Sequence, residues 1–219
     1  MKMEAIRHKR PKQKGSIKLF KNPILEKLTH THIAAPLIIF TVISIILIYF
    51  GIVEKGFEVP SIILLFLCGL FFFTFIEYLM HRYLYHLPVT NPKREKFVYT
   101  MHGVHHDFPK DKDRLAMPPI LSLILVTIFF IIYKSVMGYY AFGFLASFLI
   151  GYTAYLGVHY SVHAFKVPKN FLKILWHHHI IHHYREPDKA FGVSSPLWDV
   201  IFRTMPRKSP LEQQASASH

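Results

Sequence analysis

Four stretches of the chain are almost wholly apolar: Ile33 to Val53, Ser61 to Met80, Pro118 to Tyr133 and Tyr139 to Val158, and Glu77 is the only formal charge inside them. A bilayer core of roughly 30 Å takes about 20 apolar residues at helical rise, so the pattern predicts membrane helices over about 33–53, 61–80, 118–133 and 139–158. The third run is shorter and would reach only about 24 Å as a helix. A full crossing is the expectation there, and a shallow hairpin with the fourth run is the alternative. A soluble protein with four such helices would be left with too little polar sequence to cover them. The expected fold class is an all-α integral membrane protein with four transmembrane helices and a helical cap. No signal peptide is evident, because the first run follows a long basic stretch and no small-residue cleavage site comes after it.

Charge refines this picture. The 219 residues hold 26 Lys and Arg against 13 Asp and Glu, a net charge of +13. If the runs alternate in direction, 24 of those 26 cations fall on one side, and only Lys55 and Lys134 lie in the two opposite turns. The positive-inside rule then puts both termini and the long middle loop in the cytoplasm. Topology and anionic headgroups account for the basic charge, and nucleic acid is not needed as a partner. The expected organisation is a basic cytoplasmic arm over 1–32, a membrane domain over 33–206 and a polar tail over 207–219. The cytoplasmic cap is drawn from 81–117 and 159–206.

Histidine is the unusual residue. There are 16, and ten fall in four groups: His81 and His86 in HRYLYH; His102, His105 and His106 in HGVHHD; His159 and His163 in HYSVH; His179, His182 and His183 in HIIHHY. All four groups sit on the predicted cytoplasmic side. Offsets of three and four place rings of one group on one helix face. His81 and His86 are five apart, about 140° round a regular helix, so the chain should unwind or end there for both to converge.

Imidazole suits iron, zinc, copper and nickel, and ten rings exceed what one six-coordinate ion can hold, so two metals are implied. Cys68, the one cysteine, lies inside an apolar run. A structural zinc closes four ligands and usually includes Cys, whereas an all-His double site with room for water looks catalytic. Haem would need axial histidines within the span rather than doublets and triplets at helix ends. Glu77, one turn before His81, is a candidate to back a ligand histidine, as is Asp107 beside His106. Glu77 could instead pair with Arg82. His177 and His178 adjoin the last group but break its spacing, which makes them backing or solvent-facing residues. His8, His30, His32 and His219 are expected at the surface.

EYLMHRYLYH (Glu77 to His86), HGVHHD followed by DRLAMPP, HYSVH, and HHIIHHY followed by FGVSSPLWD (Phe191 to Asp199) resemble the fatty acid hydroxylase superfamily. Within it, the HxxxxH spacing of the first group is most similar to the fatty acid 2-hydroxylase branch, which acts on sphingolipid acyl chains. The resemblance runs from about Glu77 to Phe202. It implies a dimetal site on all ten grouped histidines, with two iron ions as the working metals and zinc able to occupy the site. It further implies an oxygen-dependent, non-haem di-iron monooxygenase that hydroxylates the 2-position of a long-chain fatty acid or sphingolipid acyl chain. Some related hydroxylases carry an N-terminal haem domain. The N-terminal arm is too short for one, so a separate cytochrome or ferredoxin-type electron donor is expected. A desaturase or hydroxylase of sterols or carotenoids remains the alternative, with a non-enzymatic metal-binding membrane protein behind it.

An oxidant at the helix ends would sit near headgroup level and reach a carbon beside a carboxyl or amide. Tyr78, Tyr83, Tyr85, Tyr155 and Tyr160 are expected to form an interfacial aromatic belt, the alternative being the lining of an acyl entry between the second and fourth helices. The run Phe71 to Phe75 is expected to face lipid.

Overall fold

The computed structural model describes residues 11–12 and 15–207, and among them every regular element is helical. In chain order these are α1 (Pro23–Leu28), α2 (Ala34–Val53), α3 (Val59–Leu79), α4 (Pro92–Val98), α5 (Val104–Asp107), α6 (Pro119–Met137), α7 (Ala141–Ala164), α8 (Lys173–Tyr184) and α9 (Leu197–Ile201). His8 and His219 lie outside the described residues. Three stretches are long and apolar enough to cross a membrane: Ala34–Val53, Val59–Tyr85, and Lys112–Ala164, which contains both α6 and α7. α6 continues to Met137, longer than the apolar run that ends at Tyr133. Lys134 does not stop it, because its ammonium lies 3.5 Å from the Tyr139 ring centroid, where the charge is stabilised by the ring face. Gly138, at φ +58°, then reverses the chain into α7.

α7 is the central helix, packed against α2, α3 and α6. Small residues let the backbones approach closely, the usual device where apolar solvent removes the hydrophobic drive between helices. A Cβ on Gly69 would stand 2.7 Å from the Phe144 carbonyl oxygen, and one on Gly151 would stand 2.7 Å from the Phe73 ring. Phe73 meets Phe148 edge to face, with centroids 5.2 Å apart. The outer faces of α2, α3 and α6 remain apolar and exposed, as at Ile38, Leu64 and Ile131.

α3 and α7 end side by side, and the remaining elements gather there. α3 passes directly into a π-helical turn, Met80–Tyr85, in which the His86 amide donates to the His81 carbonyl at 3.2 Å. The expected irregularity at this histidine pair is thus a widened turn, whose i to i+5 bonding puts residues five apart on one face. A second π turn, Tyr99–Gly103, joins α4 to α5 and was not predicted by the spacing.

The arm before α2 lies on the loop that follows α5. Arg114 is buried there and donates to the Glu26 carboxylate at 2.6 Å, the Thr29 hydroxyl at 2.9 Å and the Ile17 carbonyl at 2.8 Å. Burial pushes the Glu26 carboxyl up, but the Phe20 and Leu19 amides, Arg114 and His30 outweigh it and hold the pKa at about 2 against an ordinary 4.5.

Two predictions follow from this packing. Gly69→Ala should lower stability by about 1–3 kcal/mol through overpacking, while Gly157→Ala, whose Cβ would meet nothing within 4 Å, should be neutral or slightly stabilising; thermal unfolding in detergent separates them. Because the folded-state pKa of Glu26 is depressed, its contribution is present above pH 4.5 and lost as pH falls toward about 2. Limited proteolysis of the arm should accelerate through that window in the native chain and change less in Glu26→Gln.

Candidate metal centre

The ten grouped histidines converge into two sets of five. His81, His86, His102, His106 and His182 form the first, and His105, His159, His163, His179 and His183 form the second. Within each set, one ring nitrogen from every residue lies within 4.8 Å of the others. Eight of the ten rings are buried, His86 and His163 being partly exposed.

The sequence groups are divided between the sets in a regular way. Each set combines two same-face pairs with one single histidine. The pairs are His81 with His86 across the π turn and His102 with His106 in the first set, and His159 with His163 and His179 with His183 in the second. The singles, His182 and His105, occupy the middle position of the two H-x-x-H-H motifs. On a helix the outer residues of that motif are about 40° apart, while the middle one is about 100° from its neighbour. Each motif therefore sends a pair to one set and a single ring to the other, so the two sets are interlocked.

Both sets fit metal ions. Nε2 of His81 lies 3.0 Å from Nε2 of His102, His105 lies 2.9 Å from His159, and His163 lies 3.0 Å from His179, all between Nε2 atoms. Two nitrogens bound at right angles to one ion, at about 2.1 Å each, are separated by about 3.0 Å. Nε2 of His182 and both ring nitrogens of His183 are buried without a hydrogen-bond partner among the described residues, which costs about 1–3 kcal/mol per group unless another ligand takes the lone pair. Burial holds His102, His105, His179, His182 and His183 well below the ordinary imidazole value, and their neighbouring rings reinforce the shift. The rings are thus held neutral, the form that ligates. A nitrogen-only set suits iron, zinc, copper or nickel. Cys68 is exposed on α3 and takes no part.

The residues expected to back the ligands have other partners. The Glu77 carboxylate meets neither a histidine nor Arg82. Oε1 accepts from the Val193 amide at 2.7 Å and the Ser194 amide at 3.0 Å, and Oε2 accepts from the Ser194 hydroxyl. Burial beside an apolar helix is satisfied by a loop backbone that the sequence spacing could not place. Asp107 accepts from the Tyr99 hydroxyl at 3.1 Å. His178 donates from Nε2 to Asp199 at 2.9 Å, and His177, His30 and His32 are exposed.

The five tyrosines divide, and Tyr160 is half-buried. Tyr83 is exposed, but Tyr78 is fully buried, its hydroxyl 2.9 Å from that of Thr204 and accepting from Arg82 at 2.7 Å. Tyr85 and Tyr155 line an apolar cavity between α3, α6 and α7 that reaches His81, with Val126, Phe148 and Leu149 further along its wall. The Phe71 to Phe75 run divides: Phe71 is exposed on the outer face, whereas Phe73 lines this cavity. Helical rotation by about 200° between the two positions separates them. A second opening, lined by Lys110, Lys112, Lys166 and Tyr184, reaches His163.

A helical protein with membrane-capable helices and two all-histidine clusters at their ends is defined by these features as a candidate membrane metalloprotein. Residues 66–204 match the fatty acid hydroxylase family, and the chain belongs to that family. It is similar to a dihydroceramide fatty acyl 2-hydroxylase of Arabidopsis thaliana, with 34% identity over 74% of this chain and 69% of that protein. A ceramide very long chain fatty acid hydroxylase of Saccharomyces cerevisiae is 34% identical over 92% of this chain, which spans 53% of the yeast protein. The human fatty acid 2-hydroxylase is 34% identical over 68% of this chain and 42% of its own length. Among solved structures, full-length scs7p with only its hydroxylase domain visible superimposes with a TM-score of 0.81 at 33% identity, covering 89% of this chain and 74% of that one.

If the clusters are metal sites, His182→Ala should take the purified protein below two metal equivalents per chain by elemental analysis. His177→Ala, which alters an exposed ring, should leave metal content unchanged.

Proposed function

We propose that this protein is a membrane-bound, oxygen-dependent hydroxylase acting at the 2-position of a long-chain acyl group, carried by a free fatty acid or a sphingolipid. The observation that carries the reading is the meeting of ten histidines, eight of them buried, at the ends of apolar helices, beside an apolar cavity that reaches one of them. The relatives' activities agree with it. In this reading the four apolar helices α2, α3, α6 and α7 all cross the bilayer within a domain over 33–206, and the cap from 81–117 and 159–206 faces the cytoplasm with both termini. Its support is the cation distribution, 24 of 26 on that side.

His81, His86, His102, His106 and His182 would hold one iron, and His105, His159, His163, His179 and His183 would hold the other. When bound, the two irons supply dioxygen activation and C–H oxidation, chemistry that side chains lack. In the balanced reaction one oxygen atom is inserted into a C–H bond to give C–OH, and the other leaves as water with two protons from solvent and two electrons from a redox protein.

The chain's own part is positioning. The cavity wall of Phe73, Val126, Phe148 and Leu149 takes the acyl chain and excludes water. Because the cavity meets the metal cluster at the helix ends, a chain lying in it with its carboxyl or amide at the membrane surface presents a carbon near that polar group. Tyr85 and Tyr155, at the same end, narrow the approach.

Expression in a host without 2-hydroxy lipids should yield acyl species one oxygen atom heavier, hydroxylated at the 2-position on lipid mass spectrometry, and His182→Ala should yield none. Species lacking two hydrogens would instead indicate a desaturase. Val126→Trp, which fills the cavity, should lower product from long acyl chains while metal content is retained.

A further inference from the structure

The FGVSSPLWD segment after the last histidine group is explained by neither ligation nor substrate contact. Its first three residues, Phe191 to Val193, form a buried turn beside the first set of histidines. His81 Nδ1 donates to the Phe191 carbonyl, and His182 Nδ1 donates to the Lys189 carbonyl at 2.7 Å. These bonds fix the tautomer of both rings and leave each Nε2 lone pair facing the cluster. Between the two carbonyls lies Ala190, fully buried and in the left-handed region at φ +56°. A non-glycine residue is strained there, and such strain persists only where the surroundings over-determine it. The left-handed residue lets carbonyls on either side of it serve the same cluster.

Asp199 supplies the over-determination. It is fully buried, and its carboxylate takes four donors: the Phe191 amide at 3.0 Å and the Thr204 hydroxyl at 2.7 Å on Oδ1, the Gly192 amide at 2.7 Å and His178 at 2.9 Å on Oδ2. The Ala190 amide donates to the Thr204 carbonyl at 2.8 Å, closing the loop on itself. Glu77 then ties the next two amides to α3. Position 192 must be glycine, because a Cβ would stand 2.1 Å from the Ser195 carbonyl oxygen.

Four rings of the second set show no such brace among the described residues. Nδ1 of His105, His159, His179 and His183 is buried with no hydrogen-bond partner among the described residues, so no carbonyl or carboxylate fixes those rings. The second set also meets the lysine-lined opening through His163, the first meets the apolar cavity through His81, and a third pocket touches both sets through His102, His105 and His159.

We infer that the two metal positions are unequal: Asp199, acting through the 189–193 loop, makes the first set a retained site, and the second set, which that loop does not brace and which the lysine-lined opening reaches, is an exchangeable site. This rests on the reading of both clusters as metal sites. Asp199 is a positioning residue, since it touches no ligand ring of either set.

The test uses the full chain loaded with zinc in detergent and follows zinc release to a chromophoric chelator. Native protein should release two equivalents in two phases, one fast and one slow. Asp199→Asn places an amide N–H against a backbone N–H, and it should accelerate the slow phase at least about tenfold, the lower end for loss of a ligand's supporting partner. The fast phase should not change. His163→Ala should abolish the fast phase and keep the slow one. A single phase of two equivalents in the native chain overturns the inference while leaving the dimetal reading intact, and needs no variant to fold. Fewer than two equivalents in the native chain would instead defeat the dimetal reading. Loss of the slow phase in His163→Ala, or equal acceleration of both phases in Asp199→Asn, also overturns the inference.

Discussion

Ten imidazoles packed together, eight of them out of water, are the constraint on which the rest of the structure depends. Charged, they would repel one another and resist burial; neutral, each still carries a lone pair and an N–H that burial leaves costly unless bonded. Only a partner that accepts several lone pairs at once relieves this without adding as many donors, and a cation does so. The two sets of five answer that need together. They also explain why the cap is built from short helices: each ligand pair requires only one helical turn, aimed inward.

The membrane helices serve this centre by their ends. α3 and α7 are held together by glycine contacts and aromatic packing, and this fixes the separation of His81 and His159, which lie at their termini. Interlocking of the two H-x-x-H-H motifs then makes each set depend on both α5 and α8. A change at one motif is therefore communicated to both clusters through a helix too short to bend independently. The arm held by Arg114 covers the loop that follows α5 and so restrains the same region from outside.

Much of this was legible in the sequence, because the informative signals are local. Apolar run length marked α2, α3, α6 and α7, and the five-residue gap between His81 and His86 required a departure from regular helix. The ten histidines were identifiable because their grouping has no ordinary compositional cause. Their division into sets was less accessible, although the angular offset within H-x-x-H-H contains it. The roles of Glu77 and Asp199 were not legible: both bind backbone amides of a loop whose path depends on a left-handed alanine, and neither residue type nor spacing reports a backbone donor far along the chain. Tyr78 misled for a related reason, since the same amphipathic side chain suits a membrane interface and a buried hydrogen bond.

The proposed account joins the family relationship to the site geometry: an apolar cavity would deliver an acyl chain to a metal pair held by the histidines. Its central claim is structural, and anomalous X-ray scattering from crystals of metal-loaded protein tests it directly. The account predicts two separate anomalous peaks, one inside each set of five histidines, with ring nitrogens at about 2.1 Å from each. One peak shared by both sets, or metal elsewhere with the rings unliganded, would contradict it.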